Sequence, residues 1–389
     1  MEAYIVKCYR TAVGKANRGG FRFTRSDDLA VDVIHHLMNE IPQLDAELVD
    51  DVLVGCANPE AEQGLQIGRR ISLRALGEKV PGVTVNRYCG SGLETIAMAV
   101  SKVKAGMGHC FIAGGAESMS MIPMTGIKLA PNYNVVSNTP DHLVSMGLTA
   151  EAVAKKYEIT REDQDEFALR SHQRAAKALD EGYFKSQIVP INVKEVYVEN
   201  DEKKERTFTI DTDEGVRRDT SMDALSKLRP VFAQGGSVTA GNSSQTSDGA
   251  AFALVVSEEF IKKYKLEPIA RLVSCASAGV DPLYMGLGPI AAVPKSLKQA
   301  GLTLNDIDLI ELNEAFAAQS LAVIREVDMD IDTVNVNGGA IALGHPLGCT
   351  GTKLSTQILF ELERQNKKYG MVTACIGGGQ GIAGIFERL

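Results

Sequence analysis

Residues 83–93 read Val83-Thr84-Val85-Asn86-Arg87-Tyr88-Cys89-Gly90-Ser91-Gly92-Leu93. An apolar strand pattern ends at Asn86, two glycines then permit a tight turn, and a helix pattern runs from Leu93 to Gly106. The stretch predicts a strand, a turn and a helix in direct succession, with a cysteine in the turn. Units of this kind are typical of α/β proteins, in which helices cover both faces of a sheet.

The chain repeats this unit near its other end. Val334–Asn337 is again a strand pattern, and it leads through a second turn with glycine and cysteine into a helix pattern over 352–365. The flanking strand patterns recur in the same order, at 49–55 and 110–116 in the first half and at 307–313 and 372–379 in the second. We therefore predict a duplicated α/β unit, with two similar domains packed together and the turns of both halves meeting at one site.

The segment between the duplicated parts differs in character. Residues 119–238 are more polar, with a helical pattern over Thr149–Leu179 and a charged hairpin pattern over Val196–Ile210. After this segment, Ala250–Ser257 returns to a buried-strand pattern that would complete the first sheet. The predicted organisation has three parts: a first domain of residues 1–118 plus 239–268, an inserted loop domain of residues 119–238, and a second domain of residues 269–389.

The bulk composition is that of an ordinary globular protein, with 389 residues, 44% hydrophobic, 23% charged, and a formal net charge of −8. The acidic balance argues against a nucleic-acid partner, which requires a clustered basic face. No apolar run approaches the length of a membrane span, so no membrane insertion is expected. Met1–Lys7 enters a strand pattern at once and leaves no room for a signal peptide, which indicates a cytoplasmic protein.

The seven cysteines are widely spaced, odd in number and without a CxxC pair. This pattern argues against a disulfide framework and against a zinc ribbon, so no metal site is expected. Free cysteines fit a reducing cytosol, and each is by default a small buried apolar residue.

Cys89 is the sharpest candidate for chemistry. Its position at a helix start exposes the sulfur to free backbone N–H groups and to the helix dipole, both of which favour a thiolate. Because an unperturbed thiol is mostly protonated at neutral pH, a local pKa shift or a nearby base would make it a strong nucleophile. The alternative is a buried structural cysteine in a glycine-rich turn.

His345 is the candidate base. It lies in Gly344-His345-Pro346-Leu347-Gly348, where glycine and proline restrict the backbone on both sides of the imidazole. Histidine is the usual general base near neutral pH. The alternative is a core histidine bonded to a backbone carbonyl.

Two further strand ends carry candidates. Cys375 precedes Gly377-Gly378-Gly379, whose N–H groups would form an oxyanion hole, unless the run is only a tight turn. Asn313 ends another strand pattern, where it is either a helix N-cap or a side chain that holds a water or a carbonyl in the site.

With these four motifs in place, the chain resembles the thiolase family nearly from end to end. The resemblance extends beyond the four motifs to Arg10–Lys15, Gly114–Ser120, Leu228–Phe232, Thr239–Ser244 and Ser247–Ala250. It implies the thiolase fold, with two duplicated five-stranded α/β domains and an inserted loop domain that binds CoA. It also implies a homo-oligomer, either a dimer or a tetramer.

The resemblance implies a role for each chemical group. Cys89 would carry the acyl group as a thioester, and His345 would activate it and form one oxyanion hole with a water held by Asn313. Cys375 would protonate the leaving acetyl-CoA enolate or, in reverse, remove the α-proton. The N–H groups of Cys89 and Gly377 would form a second oxyanion hole. No prosthetic group is implied, since CoA is a substrate.

For CoA itself, the resemblance points to three residues. Arg217 would lie near the nucleotide, with Arg218 adjacent as its competitor, while Ser244 would lie near the pantetheine and Phe316 would line the tunnel.

Two branches of the family compete. Asn242–Asp248, Asn86–Cys89 and Asp213–Arg217 resemble the degradative branch, which cleaves 3-ketoacyl-CoA in fatty-acid β-oxidation. Ser145 stands where many biosynthetic members have histidine, whereas Gly90 is unlike the serine common in degradative members. We therefore predict a degradative thiolase. Acetoacetyl-CoA thiolase is the alternative, and a non-catalytic acyl-binding or lipid-binding relative is a more remote one.

Overall fold

The computed structural model describes residues 1–389. The strands are β1 Ala3–Thr11, β2 Gly14–Lys15, β3 Asp51–Gly55, β4 Gly82–Val85, β5 Cys110–Ser118, β6 Ile188–Val189, β7 Ile191–Glu199, β8 Glu202–Ile210, β9 Ser247–Ser257, β10 Ala270–Gly279, β11 Leu309–Leu312, β12 Tyr369–Ile376 and β13 Gln380–Arg388. The helices are α1 Ser26–Asn39, α2 Ile67–Leu76, α3 Ser91–Lys104, α4 Tyr133–Asn138, α5 Met146–Lys156, α6 Arg161–Asp180, α7 Met222–Ser226, α8 Glu258–Tyr264, α9 Gly288–Ala300, α10 Ala317–Val327, α11 Ala340–Leu343 and α12 Leu347–Arg364.

The two halves build matching sheets. The first runs β1-β9-β5-β3-β4, and the second runs β10-β13-β12-β11. In both, one parallel pair (β3 with β5, β11 with β12) continues into two antiparallel pairs. The two sheets meet at β1 and β10, where Ile5 lies opposite Ala270. The α/β fold with a duplicated unit is therefore as predicted.

The second half departs from five full strands. In the position equivalent to β4 it has only an isolated parallel bridge between Ile310 and Val334. The strand pattern predicted at Val334–Asn337 does not extend because Asn335 adopts φ +48°, and its side chain bonds to both backbone groups of Leu312.

The inserted segment contains the predicted hairpin and an interrupted helix. β7 and β8 pair along their whole length, and the turn consists of Asn200 and Asp201, both with positive φ. The helical pattern over 149–179 divides into α5 and α6, because Glu158 takes φ +51° and Thr160 caps the second helix. The boundaries of the three-part division stay a prediction.

α3 and α12 are equivalent helices of the two halves. Their N-terminal parts lie very close together, at Gly92 and Thr352. Both bury apolar residues at helical spacing in one shared core, including Leu93, Ile96, Leu354 and Ile358. The hydroxyl of Thr352 donates to the Gly92 carbonyl at 2.9 Å. This contact brings the turns that precede the two helices together.

We expect Gly92→Ala to destabilise the protein strongly. A Cβ at Gly92 would lie 2.6 Å from the Thr352 backbone nitrogen, so the helices would have to move apart. Overpacking of this kind costs about 1–3 kcal/mol. The measurement is the thermal midpoint against a Gly279→Ala control, where nothing lies nearer than 4.0 Å to the added carbon. Equal midpoints for the two variants would contradict the close crossing.

None of the helices combines the length and the apolar character that crossing a membrane requires.

Candidate active site

Cys89 lies in a 3₁₀ turn between β4 and α3. Tyr88 adopts φ +41°, a left-handed conformation that is costly for an aromatic residue. Ser91, the first residue of α3, holds the turn, since its hydroxyl accepts from the Arg87 N–H at 2.9 Å and donates to the Tyr88 carbonyl at 2.7 Å. The turn thus presents a partly buried sulfur.

The surroundings of Cys89 keep its thiol protonated. Burial raises the pKa of Cys89 to about 12, and the charge of Glu117 acts in the same direction. The N–H groups of Gly377 and of Cys89 itself favour the thiolate but do not offset the burial. The expected thiolate-favouring effect is therefore present and smaller than desolvation, so Cys89 requires a base.

His345 lies just before α12, at the position equivalent to Cys89 before α3. Its ring is buried, with Nδ1 2.6 Å from Thr350 Oγ1 and Nε2 3.3 Å from Asn313 Nδ2. The backbone N–H of His345 donates to the Gln245 carbonyl at 3.1 Å, which anchors the backbone at this position. Burial, with the nearby charge of Lys353, lowers the pKa of His345 to about 3, so the imidazole is neutral.

Asn313 follows β11 and is fully buried. Its N–H donates to the Thr373 carbonyl of β12 at 2.9 Å, while its side chain faces His345. The N-cap interpretation is wrong, because α10 begins four residues later at Ala317. Asn313 Oδ1 has no hydrogen-bond partner, which leaves an acceptor free for a water.

Cys375 lies one residue before the end of β12 and is fully buried. Burial, then the proximity of Cys89, raises its pKa. Beyond it, Gly378 and Gly379 both adopt φ +80° and turn the chain back into β13. The Gly377 N–H consequently points at the Cys89 sulfur.

These contacts bring the four predicted groups into two pairs. Cys89 lies with Cys375 and Gly377, and His345 lies with Asn313. Leu347, two residues after His345, belongs to the apolar cluster against which Cys89 packs, and it lines the same hollow as Cys89, so the two pairs are neighbours. No direct hydrogen bond joins Cys89 to His345, and hydrogen bonds of this kind often tighten only when substrate is bound.

A hollow of about 250 Å³ opens beside Cys89. Its walls are mostly apolar and come from the inserted segment and from the turns of both halves: Asn58, Tyr88, Met124, His142, Leu143, Val144, Met146, Leu347, Gly377 and Gly378. Met124 and Leu143 are about half exposed, so apolar surface lies open next to the sulfur.

The three predicted CoA residues lie in two places. Ser244 and Phe316 are neighbours, since Ser243 forms a bridge with Phe316, and Phe316 packs in one cluster with Cys375. Arg217 is exposed beside a separate hollow of about 370 Å³. Its backbone N–H donates to His172 Nδ1 at 3.1 Å. Arg217 forms no ion pair, whereas Arg218 pairs with Asp180 at 2.8 Å.

The sequence interpretation gave no role to Glu117, which organises the floor of the site. This buried carboxylate on β5 accepts from the N–H groups of Ala57 (2.7 Å) and Gly348 (2.9 Å) and from the Gln63 amide (2.6 Å). By the strand registers, Glu117 is equivalent to Ile376 of the second half, one residue beyond the position of Cys375. The sequence contains a signal for this role, since Glu117 is the one charged residue in the strand pattern over residues 110–118.

Comparison with known proteins identifies the family. Residues 3–259 match the thiolase N-terminal domain model, and residues 266–388 match the thiolase C-terminal domain model. The chain is 52% identical to 3-ketoacyl-CoA thiolase of Bacillus subtilis, over 99% of both chains. It is 44% identical to the 3-oxoadipyl-CoA/3-oxo-5,6-dehydrosuberyl-CoA thiolase of Escherichia coli, over 100% of both.

A solved structure agrees with these matches. The Bacillus anthracis acetyl-CoA acetyltransferase superposes with a TM-score of 0.89 at 38% identity, covering 100% of this chain and 99% of the other. On the strength of its sequence, its duplicated fold and these matches, the chain belongs to the thiolase family.

Proposed function

We propose that the protein is a 3-ketoacyl-CoA thiolase, an acyltransferase that cleaves 3-ketoacyl-CoA with CoA to acetyl-CoA and a shortened acyl-CoA. The observation that carries the proposal is the proximity of Cys375 and Gly377 to Cys89, whose sulfur lies beside an apolar hollow. Carbon–carbon cleavage needs one group to hold the acyl and another to deliver a proton, and two adjacent thiols supply both.

In the first half-reaction, His345 takes the proton of Cys89 and the sulfur attacks the 3-keto carbon. The bond between C2 and C3 then breaks, the acyl group stays on Cys89, and the acetyl-CoA enolate takes a proton from Cys375. A raised pKa suits Cys375 to this task, because the thiol retains its proton until the enolate forms.

In the second half-reaction, the proton on His345 passes to the Cys375 thiolate, so that His345 can take the proton of the CoA thiol. The CoA sulfur then attacks the thioester, the shortened acyl-CoA leaves, and the released Cys89 thiolate regains that proton from His345. The N–H groups of Cys89 and Gly377 would stabilise the oxyanion of this step, and His345 with a water on Asn313 would stabilise that of the first. Splitting the reaction through an acyl-enzyme replaces one difficult step by two easier ones.

CoA is a substrate in this proposal, and no prosthetic group takes part. Phe316 is proposed to line the tunnel because it packs in one cluster with Cys375, and Ser244 is proposed near the pantetheine because its N–H donates to Ala315 of that cluster at 3.0 Å. Arg217 is proposed at the nucleotide, since its guanidinium has no carboxylate partner and is free to meet a phosphate or a base.

We place the protein in the cytoplasm, in fatty-acid β-oxidation, as a homodimer or homotetramer. Apolar side chains of the inserted segment are exposed, with an exposed fraction of 76% for Leu129 and 80% for Tyr133, which supports self-association.

The hollow beside Cys89 supports the degradative branch, because an acetyl group alone would leave most of its apolar wall uncovered. We expect kcat/KM for thiolysis to rise from the four-carbon to the eight-carbon substrate by about tenfold or more, since each buried methylene contributes about 0.8 kcal/mol. The measurement follows the loss of the 3-ketoacyl-CoA absorbance with CoA present, over a series of chain lengths.

Leu143→Trp is the matched variant. The larger side chain fills the hollow, so the advantage of long substrates should disappear while cleavage of the four-carbon substrate continues. A preference for acetoacetyl-CoA in the unmodified protein would support the runner-up, an acetyl-CoA acetyltransferase, which the likeness to the Bacillus anthracis enzyme favours. Absence of CoA-dependent cleavage at every length would exclude both.

A further inference from the structure

Thr350 is a buried side chain that the reaction described above does not use. It lies in the first turn of α12, and its Oγ1 is 2.6 Å from Nδ1 of His345. Both residues are buried, so water does not compete for either atom. The contact is shorter than most neutral hydrogen bonds between nitrogen and oxygen.

The second contact of the hydroxyl decides which atom donates. Thr350 Oγ1 lies 3.2 Å from the Pro346 carbonyl, which has no hydrogen to give and can only accept. The hydroxyl of Thr350 is placed to donate to this carbonyl, which also accepts the backbone N–H groups of Cys349 and Thr350. Its oxygen is left to accept from His345, so the proton of the neutral imidazole lies on Nδ1.

The contact on the opposite side of the His345 ring favours the same position of the proton. Asn313 Nδ2 lies 3.3 Å from His345 Nε2, and an amide NH₂ group only donates. With the amide in this orientation, which leaves Oδ1 free for a water, Nε2 carries a lone pair. The partners on opposite sides of the imidazole thus favour the same tautomer.

We propose that Thr350 is a positioning residue that holds His345 in the Nδ1–H tautomer and thereby makes Nε2 the base for Cys89. The proposal rests on the function proposed above and adds a group to its machinery. Because His345 is neutral in the resting protein, the two tautomers compete directly, and a hydrogen bond to one of them sets the population of the reactive form.

The local structure explains why α12 supplies this group. Pro346 precedes the helix, and the fourth residue after it faces back along the first turn, where its hydroxyl reaches both the Pro346 carbonyl and the ring. Lys353 is the charged group that acts on His345, also from α12, while Glu117 on β5 acts on Cys89. Neither of them contacts Nδ1.

The test compares Thr350→Val with Thr350→Ser. Valine retains the shape and removes the acceptor, which leaves a buried N–H unpaired, so we expect kcat for thiolysis to fall about 10- to 100-fold with little change in KM. Serine retains the hydroxyl and should stay within about threefold of the unmodified enzyme. The thermal midpoints of both variants are measured alongside.

Alkylation of Cys89 by iodoacetamide is the readout that a purely structural role would not change. In Thr350→Val the rate at neutral pH should fall by about the same factor as kcat, and it should rise more steeply with pH, because the thiol must then ionise without the base. Cys275, which is also partly buried and lies near Arg87 and Glu94, is the internal standard in the same mass-spectrometric assay.

Equal alkylation rates and pH profiles in Thr350→Val and the unmodified protein would overturn the proposal, and so would an equal loss in Thr350→Ser and Thr350→Val. Failure of the proposed function looks different. In that case no 3-ketoacyl-CoA is cleaved by the unmodified protein, while Cys89 alkylation still depends on Thr350.

Discussion

Cys89→Ser is expected to abolish formation of an acyl-enzyme and to lower thiolysis by about 1,000-fold or more, as removal of a catalytic nucleophile does in other enzymes. A serine hydroxyl holds its proton far more tightly than a thiol. His345 therefore removes the proton of a serine hydroxyl far less readily than the proton of the Cys89 thiol. Mass spectrometry of the protein after incubation with an acyl-CoA is the measurement, and the unmodified enzyme should gain one acyl group on Cys89.

The matched control is Cys349→Ser. Cys349 is a buried cysteine on α12, four residues after His345, and the proposed mechanism assigns it no step. This variant should still form the acyl-enzyme. An acyl group found on Cys375 in Cys89→Ser would reverse the roles assigned to the two thiols.

Substitution of Cys375 is expected to affect the two half-reactions differently. Cys375→Ala should lower thiolysis by about 1,000-fold or more, because breaking the bond between C2 and C3 then leaves an enolate without a proton donor. Transfer of an acyl group between CoA and Cys89 involves no carbon–carbon bond, so it should continue. The measurement is exchange of labelled CoA into an acyl-CoA, compared with thiolysis in the same preparation.

The pattern of loss decides the role of Cys375. Thiolysis lost with exchange retained supports an acid and base that acts on the enolate only. Loss of both to the same extent would show that Cys375 supports Cys89 itself, through packing or through its pKa, and would contradict the assigned role. Cys349→Ala, in which both activities should persist, controls for removal of a buried thiol near the site.

The duplication could be read from the sequence because each half repeats the same apolar periods between glycine-rich turns. The repeat also places the candidates, since Cys89 and His345 each lie two residues before equivalent helices, at Ser91 and Leu347. The missing fifth strand of the second half could not be read in this way. Its apolar pattern is intact, and only the left-handed backbone of Asn335 ends the pairing.

Local patterns therefore determined which residue types stand at strand ends and helix starts, and hence the fold class, the four chemical groups and their order. Their protonation was decided by packing. The helix start favours a thiolate at Cys89, yet enclosure between the two halves raises its pKa, because desolvation depends on every neighbour of the sulfur and not only on its own turn. The contact of Glu117 with Gly348 likewise joins groups that become neighbours only when α12 packs on the first half, and no spacing along the chain records that distance. The contact of Thr350 with His345 forms only once the first turn of α12 is complete.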